Sequence, residues 1–258
     1  MDTKESIFSR TNLLIGAEVS KRIAEVRVVL FGVGGVGSWC AESLIRTGIR
    51  HLTIVDADSI QITNVNRQLP ATTLTIGQPK VEALKSRLLE INPDANITAI
   101  QRMYNSETSN SFDLSTYHYI IDAIDGIENK AHLICKATQT QAIFFSSMGA
   151  ALKMIPSKIQ VAEFWKVQGC PLAAALRRKF KKSTLPSKTF LCVYSDELLK
   201  NKENQDVIIT KSESHFDRCK ARINGSLVHI TAIFGFTLAG LLVQDIVKSC
   251  HETEIRNP

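Results

Sequence analysis

Gly32, Gly34 and Gly37 stand in the spacing G-x-G-x-x-G, with Gly35 inside the same turn. A β-branched run at 26–31 precedes them and a stretch of helical spacing at 38–46 follows. In that setting the first glycine permits a tight turn and the second lets backbone N–H groups approach a phosphate. The third lets helix and strand pack closely, and the helix N-terminus favours negative charge. Asp56 follows the next strand-like run, 51–55, and stands nineteen residues after Gly37. A carboxylate there can hydrogen-bond ribose hydroxyls. These groups make a nucleotide site, and alone they would serve NAD as well as ATP.

The polar groups beyond Asp56 separate the two. Asp58 is followed by Asn64-Val65-Asn66-Arg67-Gln68, then Gly77-Gln78-Pro79-Lys80, and later Asp122-Ala123-Ile124-Asp125. Hydride transfer needs a slot that stacks nicotinamide, not this density of polar groups. Cleavage of ATP between its α and β phosphates does need it: cations such as Arg67 and Lys80 on the departing pyrophosphate, and a carboxylate such as Asp125 for Mg²⁺. The plainer alternative makes Arg67 and Lys80 solvated surface charges and Asp125 a cap for a helix starting near Asn129.

Groups so far apart meet only on a regular scaffold. Strand-like runs at 26–31, 51–55, 96–101, 117–122 and 142–146 alternate with helical stretches at 38–46, 79–91 and 129–140. That alternation predicts an α/β, Rossmann-like, mostly parallel sheet with helices on both faces. A partly amphipathic helix is expected over 7–25. After residue 150 the pattern changes, with strand-like runs reduced to 158–162 and 190–194 in an antiparallel part. A basic helix lies between them at 172–182, and a polar stretch at 199–216 reads as a mobile loop. The expected division is 1–150, an ATP-binding adenylation region, and 151–258, a substrate-binding and dimerisation region continuing the same fold.

Composition is that of a folded soluble protein: 258 residues, 44% hydrophobic, 22% charged, net charge +6. The basic excess suits an anionic partner and does not require one. Cysteines at 40, 135, 170, 192, 219 and 250 form no C-x-x-C pair, which argues against a zinc site. The first residues lack the basic and apolar regions of a signal peptide, so the expectation is reduced thiols in the cytoplasm. The apolar stretch 228–247 includes His229, Thr231, Thr237, Gln244 and Asp245. It reads as a buried or semi-buried helix rather than a membrane span.

The series G-V-G-G-V-G, V-D-A-D, T-N-V-N-R-Q, G-Q-P-K and D-A-I-D, spread over 9–149, resembles the ThiF/HesA/ubiquitin-activating superfamily. The resemblance implies an ATP site built from Gly32, Gly34, Gly35, Gly37, Asp56, Asp58, Asn64, Asn66, Arg67, Gln68, Lys80, Asp122 and Asp125. Asp56 would contact ribose, Asn66, Arg67 and Lys80 would surround the phosphates, and Asp125 would bind Mg²⁺. Arg10, in Ser9-Arg10-Thr11, matches a family arginine that enters the neighbouring subunit's ATP site. A homodimer with composite sites is thereby implied. The other reading of Arg10 is a surface residue on an N-terminal helix.

The remainder resembles the tRNA threonylcarbamoyladenosine dehydratases. Matching segments are S-R-T-N-L-L-I-G at the start, F-F-S-S-M-G-A, P-L-A-A-A-L-R-R-K-F-K-K, V-Y-S, and N-G-S before an F-G-x-x-x-A-G helix. This implies ATP-dependent activation of a threonyl carboxylate beside the tRNA anticodon, followed by ring closure. Arg177, Arg178, Lys179, Lys181 and Lys182 would touch tRNA phosphates, or else form a solvated helix face. The resemblance also implies, from some members of the group, a monovalent cation near 151–156, but Ala151, Leu152 and Ile155 depart from the polar pattern expected there. Cys192 and Cys219 are candidate reactive thiols, and a sulfur-transfer protein is a candidate partner. The runner-up function is an adenylyltransferase acting on a ubiquitin-like or sulfur-carrier protein. A NAD oxidoreductase and a non-catalytic nucleotide-binding scaffold leave more of the motifs unexplained.

Overall fold

The computed structural model describes residues 6–203 and 224–256. Its strands are β1 (Arg27–Phe31), β2 (His51–Val55), β3 (Asn96–Ile100), β4 (Tyr119–Asp122), β5 (Ile143–Ser147), β6 (Ile159–Glu163) and β7 (Leu191–Ser195). They form one seven-stranded sheet in the order β3-β2-β1-β4-β5-β7-β6. Every neighbouring pair is parallel except β6–β7. The helices are α1 (Ser9–Ile15), α2 (Ala17–Glu25), α3 (Gly37–Thr47), α4 (Lys80–Ile91), α5 (Ile127–Thr138), α6 (Pro171–Lys182) and α7 (Val228–Arg256).

Alternation along the strands builds two cores, one on each face of the sheet. From β1, Val28 and Leu30 join α2, α3, α4 and α7, whereas Val29 and Phe31 join α5 and α6. α7 lays Ile230, Phe234, Leu238, Leu242 and Ile246 into the first core. By length and composition α7 could cross a membrane, but here this row of residues is core. Its Gly235 sits so close to α3 that an added Cβ would lie 2.5 Å from the Val36 carbonyl oxygen and 2.8 Å from the Cys40 nitrogen.

Two sequence expectations need correction. The helix expected over 7–25 is two helices, because Gly16 takes φ +82° and ψ 162°, an extended left-hand conformation outside the helical region. The two strands after 150 pair antiparallel as expected, but they are not set apart from the main sheet. β7 pairs parallel with β5 and continues the main sheet, leaving only the edge strand β6 reversed.

The chain steps outward from β1 to β2 and β3, then crosses to β4 on the other side of β1. Connections diverging at such a reversal leave a crevice beyond the carboxyl ends of the strands.

Candidate active-site cleft

That crevice is a cavity of about 1100 Å³. Gly32, Gly34 and Gly35 line it. Gly32 has φ +85°, and a Cβ there would sit 2.7 Å from the Ala123 carbonyl oxygen. A Cβ on Gly37 would lie 1.8 Å from the Gly32 carbonyl oxygen. Gly37 is therefore a packing residue that lets α3 start against the turn, and it does not line the cavity.

Asp56 lines the cavity and is already oriented: its carboxylate accepts the Val33 N–H at 2.8 Å and the Asp58 N–H at 2.9 Å. Burial raises its pKa above the ordinary aspartate value, opposed by Lys80 and by these two N–H groups. Lys80, at the start of α4, is buried and its Nζ lies 2.7 Å from the exposed Asp58 carboxylate. Arg67 lines the cavity and donates to the Thr63 carbonyl at 2.8 Å and to Asn66 Oδ1 at 2.9 Å. Gln68 is only 7% exposed, also lines the cavity, and its Oε1 has no hydrogen-bond partner among the described residues. A buried, unmatched acceptor beside a phosphate turn fits a site built for a polar ligand.

Three further residues expected at the nucleotide do not line the cavity. Asn64 is buried, and its side chain accepts the Gln61 N–H at 3.0 Å, closing a short 3₁₀ turn. Asn66 lies outside the cavity lining, where it steers Arg67 and donates to the Ser226 carbonyl at 3.2 Å. Asp122 is fully buried at the end of β4. It binds Lys130 at 2.7 Å, the Ser146 hydroxyl at 2.7 Å and the Ile124 N–H at 3.0 Å, leaving no face toward the cavity. Asp125, in the turn before α5, is exposed and lines the cavity.

The basic helix α6 divides its charges. Arg178 lines the cavity. Lys179 pairs with Glu128 at 2.5 Å, and Arg177 donates to the Phe164 carbonyl at 3.2 Å with its guanidinium over the Phe164 ring. Lys181 and Lys182 are exposed in the last turn. Arg10 is exposed on α1 and does not line its own chain's cavity. Cys192 is fully buried in β7, where desolvation raises its thiol pKa well above the ordinary value. Such a thiol is a core residue, not the reactive group considered from sequence. Cys219 lies outside the described residues, as does most of the 199–216 stretch.

The profile of the ThiF family matches residues 8–257. The chain belongs to the ThiF family. It is 34% identical over 251 residues to the tRNA threonylcarbamoyladenosine dehydratase of Bacillus subtilis, covering 97% of this chain and 98% of that one. Two crystal structures of the Escherichia coli tRNA N6-threonylcarbamoyladenosine dehydratase are similar throughout. The complex with AMP has a TM-score of 0.83 at 28% identity and covers 98% of both chains. The complex with ATP has a TM-score of 0.81 at 29% identity, covering 100% of this chain and 99% of that one.

In this ThiF-family cleft several lining residues carry no motif. Arg102 follows β3, Lys153 follows β5 and Glu197 follows β7, and all three line the cavity beside the nucleotide residues. Only the register of the sheet, which brings the ends of β5 and β7 together, identifies the last two. Asp125 fits Mg²⁺ carried in with ATP, since that ion takes one or two carboxylates with phosphate oxygens and water. A free monovalent cation near 151–156 fits poorly. The Ser195 and Glu197 carbonyl oxygens there accept hydrogen bonds from the Lys153 ammonium at 3.1 and 2.7 Å.

Proposed function

We propose that this ThiF-family chain dehydrates threonylcarbamoyladenosine in tRNA, using ATP to adenylate the threonyl carboxylate. The observation that carries this reading is the cavity shared by the glycine turn, Asp56, Arg67, Lys80 and Asp125 on one side and Lys153 and Arg178 on the other. The likeness to the dehydratases also runs through the half after residue 150, beyond the motifs common to all adenylating relatives.

ATP phosphates rest on the glycine turn and the N-terminus of α3, with ribose at Asp56. Arg67 and Lys80 neutralise the β and γ phosphates, and Asp125 would hold Mg²⁺, which would add positive charge to favour pyrophosphate departure. A carboxylate oxygen of the threonyl group attacks the α-phosphorus and pyrophosphate leaves. The carbamoyl group of the same nucleoside then attacks the activated carbonyl carbon and closes the ring. AMP departs with the former carboxylate oxygen, so the net change in the nucleoside is loss of one water. The protein's part is to position the two ends and stabilise the departing charge.

The working unit is a homodimer on this reading. α1 buries none of its residues, and Leu13 and Leu14 are each 87% exposed. A second copy covering that face would carry Arg10 toward its partner's phosphates. tRNA would lie along α6, meeting Arg178 at the cavity and Lys181 and Lys182 beyond it, and the reaction would take place in the cytoplasm. Incubation with Mg²⁺-ATP and tRNA bearing threonylcarbamoyladenosine, followed by mass spectrometry of the nucleosides, tests the proposal. ATP-dependent loss of one water is expected. Absence of that product, with pyrophosphate exchange appearing only on addition of a Gly-Gly-tailed carrier protein, would overturn it.

A further inference from the structure

Lys153 is 5% exposed, and its ammonium lies between the main-chain oxygens of Ser195 and Glu197. Among the described residues no carboxylate comes within 4.0 Å of it. The Glu197 carboxylate instead accepts the N–H groups of Met154 at 2.8 Å and Ile155 at 3.0 Å. Its direct partners are carbonyl dipoles, as for a bound alkali ion, and the Glu197 and Asp196 carboxylates act on it only from beyond contact distance. Potassium is satisfied by rings of backbone carbonyls in the same way.

The surrounding chain is bent to place this ammonium. Leu152 is the only non-glycine residue with positive φ among the described residues, at +58°. That conformation is costly for a leucine, and it persists where neighbouring interactions over-determine it. Two hydrogen bonds do so here: the Leu152 N–H donates to the Gly225 carbonyl at 2.9 Å, and the Leu152 carbonyl accepts from Leu199 N–H at 3.3 Å. His229 Nε2 reaches the Met154 carbonyl at 3.0 Å. The segments so tied, 151–153, 197–199, Asn224 and Ser226, all line the cleft. Burial lowers the Lys153 pKa, opposed by Cys170, Glu197 and Asp196.

We propose that the Lys153 ammonium is a tethered monovalent cation that organises the substrate-side wall of the cleft, so that this chain needs no free sodium or potassium ion there. Removing the tether exposes two buried carbonyl oxygens to a space that a small cation fills. Lys153 is thus a positioning residue, acting through the 152–155 and 195–199 segments.

Thermal unfolding of the intact protein in potassium chloride and in choline chloride, at equal ionic strength, tests this directly. The parent melts at the same temperature in both. Lys153→Ala melts lower in choline by about 5 °C, the scale of two unsatisfied buried carbonyls. Potassium or ammonium restores most of the loss in a saturable manner, and tetramethylammonium does not. Lys153→Met, whose side chain fills the space, shows the loss without the rescue. A parent that itself requires potassium overturns the proposal, even where the alanine variant fails to fold. So does a Lys153→Ala defect identical in every salt. Melting does not depend on the dehydratase reading, so either idea can fail alone. With activity in hand, Lys153→Ala in choline raises KM for tRNA about tenfold, and KM for ATP by less than about twofold.

Discussion

The ammonium of Lys130 lies 2.7 Å from the Asp122 carboxylate, and neither side chain has any exposure to solvent. The same ammonium donates to the Ile124 carbonyl at 2.8 Å, while Asp122 receives the Ile124 N–H. One buried pair therefore clamps both main-chain polar groups of Ile124, next to Asp125 at the cleft. Lys130→Met leaves Asp122 buried and unpaired, at a cost of about 3–5 kcal/mol. Urea denaturation measures it. Adding Asp122→Asn to that variant should recover part of the stability, because the unpaired charge is gone, while activity stays low with the turn released.

Arg10 and Lys80 serve one site from two chains on the reading above. Arg10→Ala and Lys80→Ala should each lose activity about 100- to 1000-fold, as when a group stabilising transition-state charge is removed. Mixing and re-equilibrating the two inactive proteins should return about a quarter of parental activity, because half of the dimers then carry one intact site. No recovery, with subunit exchange confirmed, would place Arg10 outside the partner's cleft.

The α6 cations should separate by their partners. Arg178→Ala and the pair Lys181→Ala/Lys182→Ala should each weaken tRNA binding and flatten its salt dependence, by about 0.7–0.9 in slope for each phosphate no longer neutralised. Lys179→Ala should do less, since Glu128 already holds that charge. Arg177→Ala should lower stability instead, because its guanidinium ties α6 to Phe164. Filter binding across a salt series distinguishes these outcomes.

Glu42 ties α3 to α4 through Arg87, at 2.7 and 3.2 Å, and also binds Arg46 at 2.9 Å. Burial pushes its pKa up, but hydrogen bonds from Arg87 and Arg46 overcome that and leave it below the ordinary value of 4.5. A depressed folded-state pKa contributes stability above the unfolded value, and the contribution is lost as pH falls through the folded one. Glu42→Gln should therefore be less stable than the parent at neutral pH. The difference should close as the pH drops below about 4.5. A difference that is constant with pH would assign the effect to packing.

The nucleotide half of the cleft was largely legible because its determinants are local. Glycine spacing, a strand end and an acid at a fixed offset are contiguous signals, and Gly32 and Asp56 lie in the cleft as their spacing implied. Of the two acids in D-A-I-D, both expected at the nucleotide, only Asp125 lines the cleft. Alternation along β4 sends Asp122 inward to Lys130 and leaves Asp125 beyond the strand end. Gly16 gave no sign of a break, because a lone glycine fits a helical pattern equally well. Lys153 was invisible for a different reason: its partners lie at the end of β7, across a connection that includes β6 and α6. Such a site exists only after the sheet has closed.

The packing of α7 on α3 carries a consequence for how the protein is made. The helix that opens the phosphate turn has Gly235 against its first turn, from near the far end of the sequence. A ribosome delivers the glycine turn early and this backing helix late. The newborn chain thus holds its recognition loop for some time without the wall behind it. The start of α3 lacks its Gly235 backing until the last helix docks, so a stalled or clipped chain would carry the glycine turn on an unfinished wall.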